Sequence, residues 1–162
     1  MNLRPTFLIC LLATVLCALN AGFFYTWSFT IMQSLDLIED NHAIVAMNAI
    51  NANIRNGWFA AIFFGSPVLV AVCSITLLFQ KRFLKFSYTV LALLCLLANL
   101  YITMTVHLPL NADLADGKII LWSEYSNEWT SKNHWRTIVT VVALVLMMLM
   151  MFVPSGRHTK RR

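Results

Sequence analysis

Apolar and polar residues fall in long blocks rather than in short alternations. Residues 6–32 carry no charge, and residues 57–79, 84–106 and 137–153 form three more apolar runs. A helix needs about 20 residues to cross a hydrocarbon core of about 30 Å, with a range of about 17–25, so each run is long enough. Strands of a membrane barrel would be far shorter and would alternate, so each run is expected to be a helix that satisfies its own backbone. The pattern predicts an all-α integral membrane four-helix bundle forming a single domain over 1–162. Two long polar segments, 33–56 and 107–136, give it helical outer-side extensions. The first run follows Arg4 as a signal peptide would, but it is about twice as long as an ordinary signal core and has no clean cleavage site. It is expected to be a retained span.

Composition sharpens this reading. The chain is 59% hydrophobic and 12% charged, with a mean hydropathy of +0.71. A soluble domain carries about 25% charged residues, so disorder, a coiled coil and a large soluble catalytic domain are excluded. The net charge of +5 is unevenly spread. Arg4, Lys81, Arg82, Lys85, Arg157, Lys160, Arg161 and Arg162 share one side with no acid. The other side holds all seven acids with Arg55, Lys118, Lys132 and Arg136. The bias predicts cytoplasmic termini, a cytoplasmic 81–85 turn and a basic tail, 154–162, on the anionic leaflet rather than on nucleic acid. Compact loops without glycosylation sequons suit a bacterial inner membrane. Cys10, Cys17, Cys73 and Cys95 all lie inside spans and are expected to be unpaired small apolar residues.

Candidate chemistry collects at the outer end. Asn48, Asn51 and Arg55 share a helix face, with Ile44 and Trp58 extending the stripe; this is either a solvated face or the donor-rich wall of a pocket. No Pro or Gly interrupts 37–56, so the segment is expected to run into the second span. Asn20, Phe24, Trp27 and Ile31 align on span one. Asn99, Thr103 and His107 form a ladder on span three, ahead of a loosening Pro109 and then Asn111. Trp122, Tyr125, Trp129, Asn133 and Arg136 cover one narrow stripe. Interfacial aromatics alone form a belt. With Arg136 and Asn133 they also make a flat cationic surface suited to a planar anionic ligand. His134 points elsewhere, toward span three. His42, His107 and His134 are scattered, without metal-ligand spacing, and no metal site is expected. The pairs Ala18/Gly22 and Ala61/Gly65 permit close packing, inside the bundle or in a homo-oligomer.

The segments AGFFYTWSFTIM (21–32), AMNAINANIRN (46–56), FFGSP (63–67), HLPLNADL (107–114) and WSEYSNEWTSKNHWRT (122–137) together resemble the anthrone-oxygenase-like family of small four-span membrane proteins. The resemblance covers about residues 15–150. It implies oxidation of the central ring carbon of a polyketide anthrone, or of a similar aromatic or quinol, by dioxygen. Asn51, Asn111, Trp129, Asn133, His134 and Arg136 are then the candidate positions. An anthrone carbanion can itself reduce dioxygen, so no cofactor is required. In that chemistry His134 would be the base and Arg136 would hold the developing anion. Trp129 and Trp27 would stack on the rings, and Asn51, Asn111, Asn133 and His107 would complete the binding site. The alternative is a non-catalytic membrane protein that binds a lipid, a quinone or a partner subunit through the same pocket.

Overall fold

The computed structural model describes residues 5–154. Arg4 and the basic tail from Arg157 onward lie outside the described residues. Among the described residues the fold is all helical. The long helices are α1 (Pro5–Leu35), α3 (Gly57–Phe79), α4 (Phe83–Ala115) and α5 (Trp122–Phe152), and α2 (Asp40–Asn53) is a short helix between the first two. The four long ones are apolar and long enough to cross a membrane. They form an up-and-down ring in which α1 and α4 each pack between α3 and α5. Large apolar side chains, including Leu12, Leu19, Val68, Ile75, Leu94 and Val142, stay exposed on its flanks. Surfaces so apolar need lipid around them, so this is an integral membrane protein.

One end of the bundle holds the tight turn at 80–82, with Lys81 at φ 56°. Gln80 donates to Thr6 Oγ1 there at 2.7 Å, tying α3 to α1. The other end is capped by α2 and by the last turns of α1 and α4. The final span needs no separate outer segment, because residues 122–152 form one unbroken helix.

Three expectations are corrected. Cys10 and Cys73 are joined by a disulfide between α1 and α3, with Cα atoms 5.6 Å apart; Cys17 and Cys95 are free. Span location does not preclude pairing when two helices bring cysteines face to face. The first polar segment does not run into span two. The chain turns at 54–56, and Asn56 caps the next helix by accepting from Phe59 N at 3.0 Å. An Asn at this position satisfies an orphan amide and so starts a helix as readily as a Pro would end one. Finally, the span expected over 84–106 is part of a longer helix, which continues through the loosening Pro109 to Ala115.

What precedes Pro109 explains its tolerance. Residues 103–107 form a wide π turn in which Leu108 N–H reaches back to Thr103 O. In a regular helix the proline ring would clash with the carbonyl of residue 105, and the wide turn displaces that carbonyl. A second wide turn spans 27–31 of α1, closed by Met32 N–H to Trp27 O. Each inserts one residue into its helix, and such turns often occur where a site is built.

Of the two small-residue pairs, Gly65 packs inward, where a Cβ would sit 3.3 Å from Leu16. Gly22 faces open space.

Candidate functional site

The two wide turns lie on diagonally opposite helices and flank the Trp129–Arg136 stretch of α5. They carry Trp27, Ser28 and His107 into the interior, where all three are buried. Trp27 packs on Trp129 with ring centroids 5.1 Å apart, and His107 meets Trp129 edge-on at 5.0 Å. The His107 ring nitrogens face Ile102 O at 3.4 Å and Trp129 O at 3.3 Å. A neutral imidazole can donate to only one of those carbonyls.

Asn133 organises the middle of this layer. Its Nδ2 donates to Phe24 O (3.0 Å) and Ser28 Oγ (2.8 Å), and its Oδ1 accepts from Arg136 Nε (3.0 Å). Arg136 is 5% exposed. Its guanidinium lies 4.7 Å from the Phe24 ring centroid and 4.9 Å from that of Trp129, and Nη1 reaches Thr103 Oγ1 at 3.4 Å. No carboxylate pairs with it among the described residues; the acid-containing pairs there are all exposed, at Glu39–His42 and around Lys118. Nη2 has no protein partner among those residues. Two aromatic faces recover about 2 kcal/mol each at a desolvated site. Taking an ion out of water still costs several kcal/mol. Its charge is therefore balanced by aromatic faces and neutral hydrogen-bond acceptors rather than by a described carboxylate.

A second hub lies toward the cap. Asn111 Oδ1 accepts from Tyr125 OH (2.8 Å) and Trp129 Nε1 (3.1 Å), and Asn111 Nδ2 donates to Asn51 Oδ1 (3.1 Å). Asn51 Nδ2 and Asn48 Oδ1 are buried without partners. A third hub holds the cap itself. Asp36 Oδ1 accepts from Trp122 Nε1 (2.7 Å) and Ser126 Oγ, and Asp40 Oδ2 accepts from Trp122 N (3.4 Å).

A cleft of about 420 Å³ runs between the start of α3 and the end of α4. Phe59, Phe63, Phe64, Met104 and Leu108 form its walls, Asn51, Arg55, Asn56 and Asn111 its upper rim, and Thr103 its inner end. Phe64, Met104 and Leu108 are also exposed on the flank of the bundle, so the cleft opens sideways. Tyr25, Tyr101 and Trp135 are exposed within two residues of Phe24, Thr103 and Arg136. Exposed aromatics at one level of a membrane bundle are common at the lipid–water interface.

The predicted residues thus divide. Asn51 and Asn111 line the cleft, and Arg136 stands directly behind its Thr103. Trp27, Trp129, Asn133 and His107 form the packed layer that holds Arg136 in place. His134 belongs to neither. It stacks on Phe29 of α1 at 5.3 Å, not on span three. It lines a separate groove of about 290 Å³ with Asp36, Ser126, Asn127, Thr130 and Ser131. His134 Nδ1 and Thr130 Oγ1 are unpartnered there. Two residues along a helix is about 200°, which sends His134 and Arg136 to opposite faces. No three His, Cys, Asp or Glu side chains gather among the described residues.

Sequence reading did not pick out the cleft walls or the contacts of Arg136. Phe59 and Phe63, ring centroids 5.2 Å apart and nearly parallel, are spaced i, i+4. That spacing was a usable signal, but inside an apolar run it is indistinguishable from lipid-facing aromatics. No protein-family model, curated protein or solved structure matches the chain.

Proposed function

We propose that this protein takes a small planar phenol, quinol or anthrone-type molecule from the outer leaflet into the lateral cleft. The observation that carries the reading is Arg136, a buried guanidinium without a carboxylate, behind the Thr103 end of an apolar, aromatic-walled cleft. Phe59 and Phe63 offer ring faces and Asn51 and Asn111 orient polar substituents. Thr103 Oγ1, whose own proton goes to Asn99 O, accepts from the ligand's hydroxyl, and Arg136 receives its anion. The cation bias of Lys81, Arg82 and Lys85 supports a cytoplasmic 80–82 turn with cytoplasmic termini and the cleft on the outer side, and the compact loops without glycosylation sequons suit a bacterial inner membrane.

A second reading, oxidation of that ligand by dioxygen, is favoured by the position of Arg136. A cation in a water-poor site stabilises a phenolate or enolate more than its neutral parent. The carbanion so favoured gives two electrons to dioxygen; overall, an anthrone CH2 plus O2 becomes C=O plus H2O. His134 opens on the other groove, so the reading assigns no base role to it in the cleft.

Binding comes first. In phosphatidylcholine nanodiscs, 2-naphthol should quench or shift the protein's tryptophan fluorescence saturably, and Arg136→Gln should weaken binding at least tenfold. Non-saturable partitioning equal to that of empty nanodiscs would end the reading. Oxygen uptake on an anthrone above the empty-disc rate, lost in Arg136→Gln, would add the oxidation.

A further inference from the structure

Among the described residues Arg55 is the one charged side chain that lines the cleft. It sits on the 54–56 turn, where α2 has ended and Asn56 restarts the chain, so its backbone is fixed at the mouth. It is exposed and makes no ion pair among the described residues. Five of the seven acids are drawn elsewhere: Asp36 and Asp40 to Trp122, Glu39 to His42, Asp113 and Asp116 to Lys118. Among the described residues no acid lines the cleft. From Thr103 to Asn111 the cleft wall runs eight residues, about 12 Å at 1.5 Å per residue. Cationic groups therefore mark both ends of an apolar slot: Arg136 behind the deep end and Arg55 at the mouth.

Resting on the reading of the cleft given above, we infer that its ligand is an aromatic acid, with a phenol or quinol hydroxyl at the Thr103–Arg136 end and a carboxylate at the far end against Arg55. The charge pattern selects for this. A neutral aromatic would leave Arg55 without a partner, and a cationic one would meet like charge at both ends. A carboxylate at the mouth stays at the headgroup level, where it keeps part of its hydration while the rings enter the slot.

The test compares 6-hydroxy-2-naphthoate with its methyl ester at pH 7, in phosphatidylcholine nanodiscs and corrected for partition into empty discs. The acid should bind about five-fold tighter than the ester, as a partly solvated ion pair allows. In Arg55→Gln that preference should vanish while ester affinity stays the same. Rising salt should weaken only the acid. Equal binding of acid and ester to the wild type would overturn the aromatic-acid assignment and leave the cleft reading intact. A preference that survives in Arg55→Gln would also overturn it, by placing the carboxylate at Arg136. Saturable binding of neither compound would overturn the cleft reading and this inference together.

Discussion

At the turn end, the side chains that meet between the four long helices are apolar and mostly small or flexible: Ala13, Cys17, Ala92, Ala143, Met147 and Met150, with Val70, Leu77 and Leu96 among them. At the capped end the same four helices meet through Trp27, Trp129, Asn133, His107 and Arg136. Small residues let the backbones approach closely, so regular helices suffice and dispersion holds them together. Indoles and a guanidinium need more room and a partner for every polar atom. The capped end finds that room through two wide turns and a break at 54–56, and finds most of the partners through Asn111 and Asn133, while Asn48 Oδ1 and Asn51 Nδ2 stay without one among the described residues. The lesson is that the helices stay regular where only packing is at stake and depart from regularity where polar groups must be satisfied in lipid. The departures mark the site.

The widest test of that contrast is Trp129→Ala. It removes a buried indole that touches Trp27, His107 and Arg136 and donates to Asn111. Phe or Trp to Ala costs about 3–5 kcal/mol in a packed core. The value here should lie at the top of that range, measured by reversible denaturant unfolding in mixed micelles. Met147→Ala at the turn end should cost nearer the bottom of the 2–5 kcal/mol seen for such truncations, because flexible neighbours such as Met150 can move into the space. Equal losses would erase the distinction between the two ends.

Asn133→Leu comes next. The change keeps the volume but orphans Arg136 Nε and takes one donor each from Phe24 O and from Ser28 Oγ, which keeps Thr137 Oγ1 at 2.9 Å. Each unsatisfied buried group costs about 1–3 kcal/mol, and relaxation will share part of the loss, so a destabilisation of about 2–4 kcal/mol is expected. Because Asn133 positions Arg136, naphthol affinity should fall in the same variant even under conditions where it is fully folded. A stable variant with unchanged affinity would mean that Arg136 is held by Phe24 and Trp129 alone.

The disulfide at the turn end should matter less. The chain-entropy treatment gives about 4 kcal/mol in water for a loop closed across a sequence separation of 63. In a membrane the unfolded reference keeps its helices inserted, so much of that entropy is never released. Cys73→Ala is expected to cost about 1–2 kcal/mol and to leave ligand affinity unchanged. Unfolding compared with the wild type under non-reducing conditions checks it.

How far the sequence could be read follows the same division. Hydropathy placed the four spans and their all-helical character, because the lipid-facing and turn-end residues follow one rule: be apolar. The stripe from Trp122 to Arg136 was also legible, since α5 is regular throughout and helical spacing holds there. The site beyond α5 was not. The wide turn at 27–31 has no proline or glycine to announce it and rotates Trp27 and Ser28 relative to a regular helix. The cleft walls are phenylalanines within an apolar run. His134 stands two residues from Arg136, but its neighbour is Phe29, which only the packing of α1 against α5 decides. The Cys10–Cys73 pair likewise depends on which helices become neighbours, and spacing along the chain does not carry that information.

The smallest effect should come where the two ends meet. Asn20 donates through Nδ2 to Ser66 Oγ at 2.9 Å, linking α1 to α3 one turn below Phe24, and Ser66 passes its own proton to Ile62 O at 2.8 Å. Ser66→Ala breaks the interhelical bond. Asn20 Oδ1 already lacks a partner, so its amide is free to turn and seek another acceptor. Interhelical hydrogen bonds in membrane bundles average about 0.6 kcal/mol, and a loss of about that size is expected. Ser74→Ala, further toward the turn end, removes only a bond to Val70 O on its own helix and should cost less still. If Ser66→Ala instead cost as much as Asn133→Leu, the polar network would extend past Arg136 into the lower half. The boundary between the two ends would then lie at least one helical turn nearer the 80–82 turn than the buried aromatic residues place it.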